Sequence, residues 1–142
     1  MSYYVYIKGK YKKHELRKLT AIFLNIEVKS IGELFSPKSG IVNIQLSHHK
    51  GDFPTMFTVY KKNDFCPELK EVDFAIFLAD KLNVEIVITY WGLDPYAWIL
   101  VKPDGRLFKV DEHPVEDIEG IILYDGYIEE LDVETVRENL NE

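Results

Sequence analysis

A single cysteine, Cys66, in 142 residues excludes an internal disulfide framework and a multi-cysteine zinc site. That usage fits a reducing compartment. The eight glycines are isolated and fall at turns, so neither common form of Gly-rich phosphate loop is present. No uninterrupted apolar run approaches the roughly 20 residues of a membrane helix. Met1-Ser2-Tyr3-Tyr4-Val5-Tyr6-Ile7 alternates in polarity and carries no basic leader before an apolar segment. A soluble, cytoplasmic protein with no membrane partner is expected. Repeats, low-complexity tracts and linkers are also missing, which makes residues 1–142 one domain, long enough for a hydrophobic core of its own.

Residues able to do chemistry are equally sparse in pattern. His48, His49 and Asp52 form the one ligand-type cluster within a short span. Adjacent histidines on a strand point to opposite faces, which argues against a shared ion. Asp111 and His113 would share a face only in a strand that Pro114 is placed to stop. Cys66 precedes Pro67 without a nucleophile signature, and Ser30, Ser36, Ser39 and Ser47 lie outside any nucleophile-elbow pattern. The acidic pairs Asp111/Glu112 and Glu116/Asp117 are too many and too alike to mark an acid–base couple, since a solvated acidic face gives the same pattern. The expectation is a non-enzyme without cofactor or metal.

What the chain does have is strong strand and helix patterning. Tyr3 to Lys8 alternates as a strand. His14 to Leu24 carries Leu16, Leu19, Ala21, Ile22 and Phe23 at helical spacing. Ser30 to Gly40 reads as a loop holding a short helical turn around Leu34. Ile41 to Leu46 and Met56 to Tyr60 read as a hairpin closed by the polar turn His48 to Pro54. Pro67 suits the first turn of a helix, and Leu69, Val72, Ala75, Ile76, Ala79 and Leu82 continue it to Asn83, a C-terminal stop.

Three strands follow. Val84 to Trp91 and Tyr96 to Val101 are separated by Gly92-Leu93-Asp94-Pro95, and Pro103-Asp104-Gly105 turns the chain into Leu107 to Val110. Ile118 to Tyr124 reads as a short strand split by Gly120 and ended by Asp125-Gly126. Asp132 is placed to cap a last helix, Val133 to Leu140, with Val136 and Leu140 inward. Strands joined by short turns, with few helices, specify an α+β domain: a mainly antiparallel sheet with two or three helices packed against it.

Net charge is −7, but its distribution is uneven. Met1 to Cys66 holds 11 Lys/Arg against 5 Asp/Glu, and Pro67 to Glu142 holds 6 against 19. Lys8, Lys10, Lys12, Lys13, Arg17 and Lys18 lie near Tyr3, Tyr4, Tyr6 and Tyr11, a local pattern that single-stranded nucleic acid would accept. The acidic total and the larger acidic half oppose that reading. From Asp111 onward 12 acids face Arg137 alone. Asp111, Glu112, Glu116, Asp117, Glu119, Asp125, Glu129 and Glu130 surround Tyr124 and Tyr127. Anchoring aromatics among steering charges are the ingredients of a protein interface with a basic partner. Those ten residues are the candidate contact surface, which Trp91, Tyr96 and Trp98 would be placed to join.

The run Leu82-Asn83-Val84-Glu85-Ile86-Val87-Ile88, followed by Asp94-Pro95-Tyr96-Ala97-Trp98-Ile99-Leu100-Val101 and Pro103-Asp104-Gly105, resembles small bacterial immunity proteins. These are the partners of toxins in contact-dependent growth inhibition and related polymorphic toxin systems. The resemblance covers about a quarter of the chain, through its strand–turn–strand texture. It implies a cytoplasmic antitoxin-like protein that binds one cognate toxin domain, in many cases a basic nuclease, and blocks it. It does not bring binding residues with it, and the basic N-terminal half is the part that fits it least. Two other classes stay open: an acidic DNA mimic or regulator that sequesters a nucleic-acid-binding protein, and a small hydrolase whose site is assembled from distant residues.

Overall fold

In the computed structural model, residues 2–33, 40–62, 65–92, 94–112 and 120–140 are described, and the side chains of 124–127 fall outside that description. The central strand β1 (Ser2–Ile7) turns Tyr3, Val5 and Ile7 to a buried face and leaves Tyr4 exposed, as the alternation in its sequence dictates. It pairs antiparallel with β4 (Thr55–Lys61) on one side, Val5 opposite Phe57, and with β5 (Ile86–Thr89) on the other, Ile7 opposite Ile86. β3 (Val42–His48) closes the expected hairpin with β4. β6 (Ala97–Val101), β7 (Leu107–Glu112) and β8 (Leu123–Leu131) extend the sheet antiparallel beyond β5. A three-residue strand β2 (Ile31–Glu33) pairs parallel with β3, so the order is β2-β3-β4-β1-β5-β6-β7-β8. The fold is thus a single α+β domain with a mostly antiparallel eight-stranded sheet and three helices packed against it.

α1 (Lys13–Leu24), α2 (Glu71–Leu82) and α3 (Val133–Asn139) bury their apolar residues with Tyr3, Val5, Ile7, Ile44, Phe57, Ile88 and Ile99. Phe74 of α2 stacks on Tyr3 at 5.2 Å between ring centroids and meets Phe23 of α1 at 5.2 Å. Burying each such ring stabilises the fold by about 1.5–3 kcal/mol. Both long helices end on an asparagine in the left-handed region, Asn25 (φ 56°) and Asn83 (φ 52°). Ile26 N–H then reaches Ala21 O, and Val84 N–H reaches Ala79 O. This six-to-one bond closes the last turn and redirects the chain into extended structure. Asn83 is therefore the stop expected, and Asn25 does the same for α1. Asp132 caps α3 by accepting the Thr135 N–H, as anticipated.

Several boundaries differ from the sequence reading; the strand read over Val84 to Trp91, for one, is confined to Ile86–Thr89. α2 begins at Glu71, not Pro67: Asp73 accepts the Lys70 N–H, which sets the cap there. Cys66 sits at φ 47°, and the carbonyls of Phe65 and Cys66 turn to the Lys61 ammonium at 2.7 and 3.0 Å. The segment read as a loop from Ser30 contributes β2, too short to show alternation; Leu34 lies outside the described residues. The strand expected at Ile118 to Tyr124 is replaced by β8, which runs on through Asp125-Gly126 to Leu131. Val110 pairs with Ile128 and Asp111 with Tyr124, so a bulge in the register absorbs the residues between. Residues 118 and 119 lie outside the description.

Candidate functional site

The sheet face opposite the helices carries a second, smaller core. Phe53, Val87, Leu100, Val110 and Ile121 are buried there, with Tyr6, Trp98, Phe108 and Leu123 packed around them. Its cover is made of loops. The β3–β4 turn folds over the face and bridges Gly51 to Ile121, with Asp52 N–H donating to Ile121 O at 2.9 Å. A Cβ on Gly120 would stand 1.7 Å from the Lys50 carbonyl oxygen, so this close backbone approach requires glycine. Gly120 therefore clips two loops together, and does not split a strand. His48 and His49, expected on opposite faces, line one cavity here, because β3 ends at His48 and His49 has left the pleat. Among the described residues no group of three His, Cys, Asp or Glu side chains is placed to hold a metal ion.

Strand alternation separates the candidate contact residues. Asp111 and Glu129 belong to the helix-bearing side of the sheet, since Asp111 lies opposite Ala97 and Glu129 opposite Lys109. Glu112 and Glu130 belong to the other, Glu112 opposite Leu123 and Glu130 opposite Phe108. Glu112 accepts from the Trp98 indole N–H at 3.2 Å. Tyr124, Asp125 and Tyr127 lie on β8, but their side chains, like all of Glu116, Asp117 and Glu119, are outside the described residues.

What gathers the acids is the sheet margin. β8 is the outermost strand, with Glu129 and Glu130 exposed, and the chain continues into exposed Asp132, Glu134 and Glu138 on α3. Arg137, the one cation of that stretch by sequence, is bound to Asp73 of α2 and so is turned inward. Ile128, opposite Val110 and so on the open face with Glu130, is 59% exposed. Sequence reading missed Ile128, because the strand was expected to end at Asp125-Gly126 and β8 runs on to Leu131.

The aromatics divide as well. Trp98 is half-buried against Tyr6 at 5.2 Å, and Trp91 stacks on Tyr90 at 4.3 Å, whereas Tyr96 is exposed. Burial, followed by the Glu71 and Glu112 carboxylates, pushes the Tyr6 phenol above its ordinary range. No family model, curated protein or solved structure matches the chain. Among the described residues no helix is long and apolar enough to cross a membrane.

A cleft of about 460 Å³ opens where β1 and β5 diverge, since they pair only at Tyr6–Val87 and Ile7–Ile86. Tyr4 N–H donates there to Glu71 at 2.9 Å, and Trp91 and Leu140 form its walls. α2 and α3 thus already occupy the gap in the ladder. Ser2, Lys70, Glu71 and Thr89 are its polar lining, and the Glu71 carboxylate is engaged by the Tyr4 N–H.

Proposed function

We propose that this chain is a binding protein of the immunity type, which neutralises one basic protein, a toxin domain, by covering it with the β8–α3 margin. The observation that carries the reading is the exposed Ile128 on an outermost strand, on the open face with Glu130, while exposed Glu129, Asp132, Glu134 and Glu138 follow it along the same stretch of chain. An outer strand offers unpaired backbone groups for pairing with another chain. The carboxylates around it attract a cationic surface over a Debye length of about 8 Å at physiological salt. A desolvated isoleucine within a polar rim supplies the apolar contact that charge alone does not.

The test is protection. The chain is co-expressed with the C-terminal domain of the large protein encoded immediately upstream of its gene, and growth and copurification are followed. Rescue with a stable complex supports the reading. Exchanging Glu129, Glu130 and Glu134 for lysine should then slow association by roughly tenfold or more at low salt, with less effect on dissociation. Ile128→Asp should act the other way, mainly on dissociation. A chain that rescues equally well with all four substitutions removes this margin from the interface.

A further inference from the structure

The β3–β4 turn, once clipped over the open face, encloses a cavity of about 610 Å³ whose character opposes that of the whole chain. Lys10, His48, His49 and Lys50 line its rim, Tyr6, Phe53, Met56 and Ile121 its floor, and no carboxylate is among the described residues lining it. Three other members of the basic N-terminal cluster are paired elsewhere. Lys8 pairs with Glu85 at 3.2 Å, and Lys13 and Arg17 pair with Glu33 at 3.0 and 3.1 Å.

The rim is held in place by named contacts. Thr55 donates to Gly9 O at 2.7 Å, which ties the β1–α1 connection, and Lys10 with it, to the start of β4. His48 Nε2 faces Tyr11 O at 3.4 Å; a carbonyl only accepts, so that nitrogen carries the proton. His49 Nε2 lies 3.0 Å from Ser47 Oγ. The described lining residues carry charge of one sign over an apolar floor, and such a concavity concentrates counter-ions of matching shape. Lysine and imidazole N–H groups suit phosphoryl oxygens, and the floor suits a ring or an alkyl body.

We infer that this cavity is a binding site for a small organic phosphate, its phosphoryl group held by Lys10 and His49, with His48 fixed in the wall by Tyr11 O and the apolar body laid over Tyr6 and Met56. The inference is independent of the protein-binding margin on β8 and α3.

The test is a titration of the amide-labelled full chain, followed by NMR, with phenyl phosphate, inorganic phosphate, phenol and a short single-stranded oligonucleotide. Phenyl phosphate is expected to shift the amides of Lys10 and of residues 48–53 with a Kd of about 1 mM or tighter. Inorganic phosphate should bind the same residues roughly tenfold more weakly, and phenol should leave them unmoved. Lys10→Gln with His49→Gln should weaken phenyl phosphate by roughly tenfold, while the other resonances keep their positions because both side chains are exposed. Shifts at other residues, equal binding of phenol, or full affinity in the double variant would overturn the proposal. An oligonucleotide that displaces phenyl phosphate with far higher affinity would also overturn it, and would make the rim part of a nucleic-acid surface.

Discussion

Substituting Gly120 by alanine should detach the loop cover from the open face. At φ +80° a side chain is strained, which costs about 1–2 kcal/mol. The added Cβ would also meet Lys50 O at 1.7 Å and Lys50 C at 2.4 Å, both backbone atoms. Relief requires the two segments to separate, which breaks the Asp52 N–H to Ile121 O bond and exposes part of Phe53 and Ile121. Full burial of each such side chain is worth about 1.5–3 kcal/mol, so partial exposure of two brings the total to about 3–5 kcal/mol. Gly105→Ala is the control: φ is +90°, but nothing lies within 4 Å of the added carbon, so only the backbone cost of about 1–2 kcal/mol applies. Urea unfolding of both variants, with hydrogen exchange at the Asp52 amide, measures the difference. If Gly120→Ala costs no more than Gly105→Ala, or leaves Asp52 as protected as before, the clip is not what holds the cover down.

Lys61 is 5% exposed, donates to the Phe65 and Cys66 carbonyls and stands 5.3 Å from the Tyr3 ring centroid. Lys61→Met strips two carbonyls of their donor and should destabilise by about 1–3 kcal/mol in urea at pH 7; an unchanged midpoint would mean that those carbonyls find other partners. Tyr3 donates to Leu69 O, and burial first, then the Cys66 thiol and the Asp73, Glu68 and Glu71 carboxylates, push its phenol above the ordinary range. Because the folded pKa is the higher one, its contribution is complete below about pH 10 and is lost as pH rises beyond that. Burial lowers the Lys61 pKa, which gives the opposite slope approaching its ordinary value of about 10.4. Unfolding measured from pH 8 to 11 should therefore show a flatter alkaline loss in Tyr3→Phe and a steeper one in Lys61→Met; parallel curves would place neither group in the linkage.

Much of the fold was legible because it rests on short-range pattern. The alternation of Tyr3, Val5 and Ile7, the helical spacing from Val72 to Leu82, Asn83 as a stop and Asp132 as a cap each follow from period and local hydrogen bonding. β2 was not legible, since three residues show no period and its parallel partner is found only in the sheet. β8 was misread because Asp125-Gly126 carries a turn signature that the pairing with β7 converts into a bulge.

The candidate surfaces divide along the same line. Sequence alone determined the charge asymmetry and the single domain, since both are sums and periods over the chain. Tertiary structure decided which charges act together. It parted Asp111 from Glu112 across the sheet, gathered Glu129 to Glu138 along its margin, and folded His48 and His49 into one cavity. The reason is physical: a strand sends neighbours to opposite faces, and only the sheet's outer edge or a loop leaving the pleat brings them back to one side.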